Sequence, residues 1–81
     1  MFYVYLIQSN LDNSYYIGQT NNLEKRLLDH NEGLSKYTSR KRPWKMVYYE
    51  EFETRTEAIK RERFLKQQRN SFFYKSLYEN K

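Results

Sequence analysis

A β-rich segment that runs directly into a helix start is the strongest constraint in the sequence. The segment Tyr15–Thr20 contains Gly18, where the absence of a Cβ atom lets another group approach the strand closely. We predict that a helix begins near Asn21, with Asn21 as its N-cap and Glu24 as the capping-box partner three residues later. Gly33 is predicted to end this helix. The end of a strand, a group that lies close to the Gly18 backbone and the start of a helix must therefore lie together in the fold.

One face of this predicted helix is half polar. Leu23, Arg26, Leu27 and His30 follow the three- and four-residue spacing that aligns side chains on one helix face. A buried guanidinium needs a carboxylate or a solvated site that holds an anion, so Arg26 is a candidate for anion binding. The alternative is that Arg26 extends to solvent and His30 only caps the helix C-terminus.

Composition narrows the class of protein. Residues 1–81 are predicted to form a single domain, which is too short for a deep core. The chain has no cysteine and one histidine, which excludes disulfides, thiolate zinc sites and multi-histidine metal clusters. The net charge of +5 suits a polyanionic partner. The first apolar run, residues 1–7, is too short for a membrane span or signal peptide, so we expect a cytoplasmic protein that does not bind membranes.

Hydrophobic patterns and turn residues predict an α+β fold with the element order β-β-α-β-α-α. The first two strands form a hairpin that brings Tyr5 and Tyr16 together. Thr54 and Glu57 form a capping box that begins the second helix. The predicted strands lie at 2–7, 15–20 and 44–52, and the predicted helices at 21–32, 54–68 and 70–78.

Alternation along the third strand predicts which side chains share a face. Met46, Tyr48 and Glu50 are expected on one side, and Val47, Tyr49 and Glu51 on the other.

The second helix has an acidic residue in the face expected to turn inward. Ala58, Arg61, Glu62 and Leu65 share that face, so the Glu62 carboxylate requires a cation. The cation is either a side chain, such as Arg26 or a neighbour on the same helix, or a metal ion. A lone carboxylate can hold a hydrated Mg²⁺ if substrate phosphate oxygens supply further ligands.

Two surface features remain. Six cations are candidates for contacts with flanking phosphates, although each is also compatible with ordinary solvated surface: Lys36, Arg40, Lys41, Arg42, Lys45 and Lys66. The aromatic residues of the last helix, Phe72, Phe73 and Tyr74, would alternatively form a surface that docks another protein.

In two tripeptides and three single residues the chain resembles the GIY-YIG nucleases, in particular their small stand-alone bacterial members. Tyr3-Val4-Tyr5 and Tyr16-Ile17-Gly18 match the two halves of the family's motif, and Arg26, His30 and Glu62 follow at compatible spacings. The resemblance covers nearly the whole chain and implies a three-stranded antiparallel sheet flanked by helices.

Two residues depart from the family pattern. Position 3 is Tyr rather than Gly, a change that matters little if only a strand backbone is needed there. Gln19 stands where the excision-repair relatives have a lysine, so one cationic contact to the substrate is expected to be missing.

The resemblance implies an endonuclease that hydrolyses DNA phosphodiester bonds, with RNA not excluded as a substrate. Tyr16 would accept the proton of the attacking water or orient that water, Arg26 would neutralise charge on the phosphoryl oxygens, and Glu62 would hold Mg²⁺ or Mn²⁺. Tyr5 and His30 would hydrogen-bond around the nucleophile. We further expect structure-dependent cleavage in repair or recombination, no small-molecule cofactor, and a monomer or weak homodimer. The alternative is a nucleic-acid-binding module with the same fold that cuts weakly or not at all.

Overall fold

The computed structural model describes residues 1–79 of the chain and has the predicted α+β element order. Its elements are β1 (Phe2–Ser9), β2 (Tyr15–Thr20), α1 (Leu23–Asn31), a 3₁₀ helix (Ser39–Lys41), β3 (Trp44–Phe52), α2 (Arg55–Gln68) and α3 (Ser71–Glu79). The three strands form one antiparallel sheet in the order β2-β1-β3. The described residues contain no helix of the length and apolarity that a membrane crossing requires.

The central strand β1 is buried on both faces, as its nearly continuous apolar sequence predicts. Four consecutive residues, Val4, Tyr5, Leu6 and Ile7, are at most 2% exposed. One face of the sheet packs against α2 and α3, and its buried residues are Val4, Leu6, Ile17, Ala58, Leu65 and Tyr74. The other face is covered by α1, with Tyr5, Ile7 and Trp44 buried beside Tyr16, Leu23, Leu27 and Met46.

The prediction for the faces of β3 is wrong before Tyr48. Leu6 pairs with Tyr48, whereas the next residue, Ile7, pairs with Met46, so Val47 is an extra residue in β3. Such a bulge places two successive residues on the same side and breaks the alternation on which the prediction depended. Val47 and Tyr48 both contact the core under α2 and α3, while Met46 contacts the core under α1.

The predicted start of α1 is wrong by one residue. The N-cap is Asn22, whose side chain accepts a hydrogen bond from the Lys25 backbone N–H at 3.1 Å. The Thr20 hydroxyl accepts from the Asn22 N–H at 3.1 Å, so the turn after β2 extends past Asn21. Glu24 therefore lies at the second helical position, which is not the capping-box position.

Other predicted helix boundaries are confirmed. Gly33 follows α1 with a φ of 80°, a conformation that favours glycine. The Thr54 side chain accepts from the Glu57 backbone N–H at 3.2 Å and caps α2. The helix ends at Gln68, and Arg69 follows in the left-handed conformation.

The alternative of an aromatic docking surface on α3 is not available from all three residues. Tyr74 is 8% exposed and belongs to the core, and Phe73 packs against that core. Only Phe72 is strongly exposed, at 85%.

Candidate active site

The phenol of Tyr5 lies directly across Gly18. The two residues are register partners in adjacent strands. A Cβ atom added to Gly18 would lie 2.6 Å from Tyr5 Cζ and would also clash with the Tyr5 hydroxyl oxygen. The close approach expected at Gly18 is therefore made by the Tyr5 side chain, and this glycine leaves the space in which the phenol lies.

The hydroxyl of Tyr5 meets a buried histidine. His30 is fully buried, with Nε2 2.8 Å from the Tyr5 hydroxyl and Nδ1 2.7 Å from Thr38 Oγ1. Thr38 Oγ1 in turn donates to the Ser35 carbonyl oxygen at 3.4 Å. This chain of bonds assigns the imidazole proton to Nδ1, so that Nε2 accepts the Tyr5 hydroxyl proton. His30 thus holds Tyr5, and the alternative that it only caps α1 is wrong.

Burial keeps both partners uncharged near neutral pH. Burial lowers the pKa of His30 to about 4, and the positive charge of Arg26 adds to this effect. Burial likewise raises the pKa of Tyr5 to about 12, against the opposing charge and hydrogen bond of Arg26. Tyr5 can therefore donate a hydrogen bond, but it is poorly suited to accept a proton as a general base.

Arg26 lies beside the Tyr5 hydroxyl and remains partly open to solvent. Its side chain is 33% exposed, and Nη1 lies 4.0 Å from the Asp29 carboxylate, so the ion pair is loose. It is close enough to Tyr5 to act on the pKa of that phenol through its charge and a hydrogen bond. That Arg26 binds an anion stays a prediction.

The ring of Tyr16 is supported from inside by three other rings. The centroids of Tyr5, His30 and Trp44 lie 6.5, 5.1 and 6.4 Å from that of Tyr16. Tyr37 also contacts Tyr16, with a centroid distance of 5.7 Å, and is 68% exposed. The Tyr16 ring is thus packed between buried groups and one exposed tyrosine.

Glu62 approaches the same phenol from α2. The Glu62 side chain is 18% exposed, and its carboxylate forms an ion pair with Lys66 Nζ at 2.9 Å. Its charge acts to raise the pKa of Tyr5, so it lies near Tyr5. Of the predicted protein partners, the one observed is the neighbour on its own helix. Arg61, one residue earlier, turns away and pairs with Glu50 at 2.8 Å.

The donor set fits a loosely held divalent ion. Among residues 1–79 there is no group of three or more His, Cys, Asp or Glu side chains that could enclose a metal. Glu62 supplies one partly exposed carboxylate, and Lys66, its partner, is 52% exposed. Mg²⁺ commonly binds through one or two carboxylates, waters and substrate phosphates, which is the arrangement that this single residue permits.

Gln19 does not share a face with Tyr16. It lies two residues after Ile17 and therefore on the face of β2 that packs under α2, and its side-chain oxygen is buried with no hydrogen-bond partner among residues 1–79. The absence of a cationic contact at this position stays a prediction.

Three of the six predicted phosphate-binding cations lie beside Tyr37. Lys36, Arg40 and Lys41 line a surface depression with that ring. Lys41 also pairs with Asp12 at 3.3 Å.

The other three cations are dispersed. Lys66 lies at Glu62, as described above. Arg42 Nε donates to the Ser39 carbonyl oxygen at 2.8 Å, and its guanidinium lies over Gly33. Lys45 lines a different depression, together with Phe72 of α3.

Sequence reasoning missed Thr38 and Tyr37. Thr38 is buried and orients His30, but no periodic pattern marks it within a stretch rich in cations. Tyr37 was detectable, because an aromatic residue among lysines and arginines is a common feature of surfaces that bind nucleic acids.

Comparison with known proteins agrees with this fold. A family model described as the GIY-YIG catalytic domain matches residues 1–76. The chain belongs to the GIY-YIG family. Membership implies nuclease activity in general and a nucleic-acid substrate, and nucleases of this family typically use divalent metals.

Similar proteins are small bacterial members of one group. The chain is 49% identical over 67 residues to the UPF0213 protein CPE1444 of Clostridium perfringens, covering 82% of this chain and 71% of that protein. It is 46% identical over 61 residues to the UPF0213 protein lwe0147 of Listeria welshimeri, covering 74% of this chain and 67% of that protein. The solution NMR structure of the UPF0213 protein BH0048 from Bacillus halodurans is 32% identical, with a TM-score of 0.51, and the match covers 83% of this chain and 72% of that one.

Proposed function

We propose that the chain is a divalent-metal-dependent endonuclease that hydrolyses phosphodiester bonds in DNA, with a preference for particular DNA structures that arise in repair or recombination. The observation that carries this proposal is the convergence of Tyr5, Tyr16, Arg26 and His30 with Glu62, from four different elements. With DNA as its substrate the protein would act in the cytoplasm, as a monomer or weak homodimer.

The charge of each side chain suggests its role in the proposed reaction. Arg26 is the partly exposed cation beside the phenols, so it would bind the scissile phosphate and stabilise the negative charge that increases on its oxygens. Tyr16 would orient the attacking water or, as the phenolate, accept its proton. Tyr5 stays neutral and donates its proton to His30, so its hydroxyl oxygen would accept a hydrogen bond that keeps the water in line.

Glu62 is the proposed metal ligand. A divalent ion bound there, Mg²⁺ or Mn²⁺, would supply positive charge to the phosphate and the leaving oxygen. For this, the Glu62 carboxylate must exchange its ion pair with Lys66, and the exposed Lys66 ammonium would then be free to contact a phosphate.

The ion pair between Glu62 and Lys66 also favours a second candidate function. Because the Lys66 ammonium already satisfies the Glu62 carboxylate, the chain could be a DNA-binding module with the same fold that cuts weakly or not at all. Both candidates bind DNA with salt-dependent affinity, so binding alone does not separate them.

Cleavage assays separate the two candidates. We would incubate the protein with supercoiled plasmid and with branched DNA, in Mg²⁺, in Mn²⁺ and in EDTA. The endonuclease should cut only with metal, and Tyr16→Phe, Arg26→Ala and Glu62→Gln should each lose at least tenfold in rate, the scale of a single lost transition-state contact.

Matched controls remove the same chemical groups elsewhere. Tyr49→Phe, Arg63→Ala and Glu53→Gln change exposed residues outside the site and should cut like the wild type. Equal cutting by the wild type and the three site variants would instead indicate a contaminating nuclease, and the absence of cutting under every condition would support the binding module.

A further inference from the structure

A second concave surface adjoins the candidate active site. It is a pocket of about 570 Å³ that runs along the outer edge of β2, and Tyr16 lines it. Its other tyrosines are Tyr15, Tyr37 and Tyr74, and the charged residues that line it in the described part of the chain are Lys66 and Arg69. Because Tyr16 and Lys66 belong to both places, any group in this pocket lies next to the reacting phosphate proposed above.

The lining is suited to a group that is planar at one end and anionic at the other. Three of its aromatic rings, those of Tyr15, Tyr16 and Tyr37, are at least partly exposed, and the ionic side chains that line it among residues 1–79 are cationic. Its volume lies within the range of pockets that hold small organic ligands. A nucleotide, with a flat base and a phosphate, has both properties.

Tyr37 is the ring most accessible to a base. It is 68% exposed and rests against Tyr16, which the buried rings of His30 and Trp44 hold in place. Tyr37 has cations on both sides, since the depression formed with Lys36, Arg40 and Lys41 adjoins it as well. Alternating aromatic and cationic groups are the arrangement with which proteins bind a strand through its bases and its phosphates.

Arg69 is the cation best placed to bind an anion in the pocket. It is exposed and lies just past the end of α2 in a left-handed conformation, with φ 46°. Its backbone N–H donates to the Tyr74 hydroxyl at 3.1 Å, which anchors the residue to the pocket wall and leaves the guanidinium to extend.

We propose that this pocket is a nucleotide subsite in which the base next to the scissile phosphate stacks on Tyr37 and the adjoining phosphate binds Arg69. The assignment to the position next to the cut rests on the proposed function. The subsite makes Tyr37 and Arg69 positioning residues, because the nucleotide they hold would place its neighbouring phosphate between Tyr16 and Arg26.

The test measures binding without metal, so it does not depend on cleavage. In EDTA we would compare a ten-nucleotide oligothymidylate with an abasic strand of the same length, which keeps the phosphates but has no bases. The wild type should bind the thymidylate about tenfold more tightly, the effect of one stacked base. Tyr37→Leu should abolish most of this preference, whereas Tyr37→Phe, which keeps the ring, should preserve it.

Control variants separate stacking from charge and from misfolding. Tyr49→Leu removes another exposed tyrosine, outside this pocket, and should keep the wild-type preference. Arg69→Asn suits the left-handed backbone and should keep the preference for bases, while the slope of log K against log salt falls by about one. Circular dichroism would confirm that each variant is folded.

The experiments can refute the subsite without refuting the proposed nuclease activity, and they can refute the nuclease activity without refuting the subsite. If Tyr37→Leu keeps the wild-type ratio between the two strands, or if Tyr37→Phe loses it, the subsite is refuted, even if the wild type cuts plasmid. If the ratio behaves as expected but the wild type never cuts, the subsite stands as part of a binding module and the proposed catalysis fails.

Discussion

The buried histidine makes a prediction about acid stability that follows directly from its surroundings. His30 is fully buried, and burial together with the charge of Arg26 lowers its pKa from 6.5 to about 4. Below pH 6.5 the unfolded chain binds a proton that the folded chain does not. Stability should therefore be complete above pH 6.5, fall as the pH drops towards 4, and lose nothing more to this group below that point.

The size of the loss follows from the two pKa values. Between pH 7 and pH 5.5, protonation of His30 in the unfolded chain should lower the free energy of unfolding by about 1.2 kcal/mol, and by about 3 kcal/mol at pH 4. The upper part of this range isolates His30, because it is the chain's single histidine and ordinary carboxylates stay ionised at pH 5.5. For a domain whose core supplies roughly 3–5 kcal/mol, that fraction is readily measurable.

Urea unfolding at pH 7.0, 6.5, 6.0 and 5.5 would measure the effect. With an m value of about 1 kcal/mol/M, the midpoint should fall by about 1 M across the series. The His30→Gln protein, which cannot titrate in this range, should be less stable but nearly independent of pH. The same pH slope in the wild type and in His30→Gln would refute the assignment, and NMR titration of the imidazole would show directly whether its pKa lies near 4.

Three further predictions follow from neighbouring contacts. Gly18→Ala should cost about 1–3 kcal/mol in thermal or urea unfolding and greatly reduce cleavage, because the new methyl group occupies the space of the Tyr5 phenol; wild-type stability would contradict this. Tyr5→Phe should cost about 1–3 kcal/mol, since it leaves the buried His30 Nε2 without its donor, and a smaller loss in urea titrations would indicate that another group replaces it. Lys66→Met should strengthen Mn²⁺ binding by about twofold, because it removes the ammonium that competes for Glu62. Electron paramagnetic resonance titrations of the DNA-free protein would measure this affinity. An unchanged affinity would show that the ion pair does not oppose the metal.

Elements with strong local signals were predicted closely from the sequence. The N-cap at Thr54 and the end of α2 at Gln68 agree with the structure, as do the bounds of β2 and β3, although the Glu57 carboxylate accepts from the Thr54 hydroxyl and not from its backbone N–H. These features depend on residues within a few positions of each other, so their physics is contained in the local sequence.

Errors arose where a neighbouring strand or turn altered a local rule. Asn21 and Asn22 are chemically identical as caps, and the Thr20 hydroxyl selects the second by holding its N–H. The side assigned to Met46 was wrong because the bulge at Val47 is defined only by pairing with β1, which is distant in sequence.

The sequence by itself determined the element order, the family resemblance and the candidate residues for phosphodiester hydrolysis, because spacing and side-chain chemistry are local properties. Only the tertiary structure decided that Tyr5 lies across Gly18 and that His30 bonds both Tyr5 and Thr38. Those relations join residues up to 25 positions apart, as between Tyr5 and His30, through strand register and burial. Burial also sets the pKa values of the site, since desolvation depends on what covers a group and not on its neighbours in the chain.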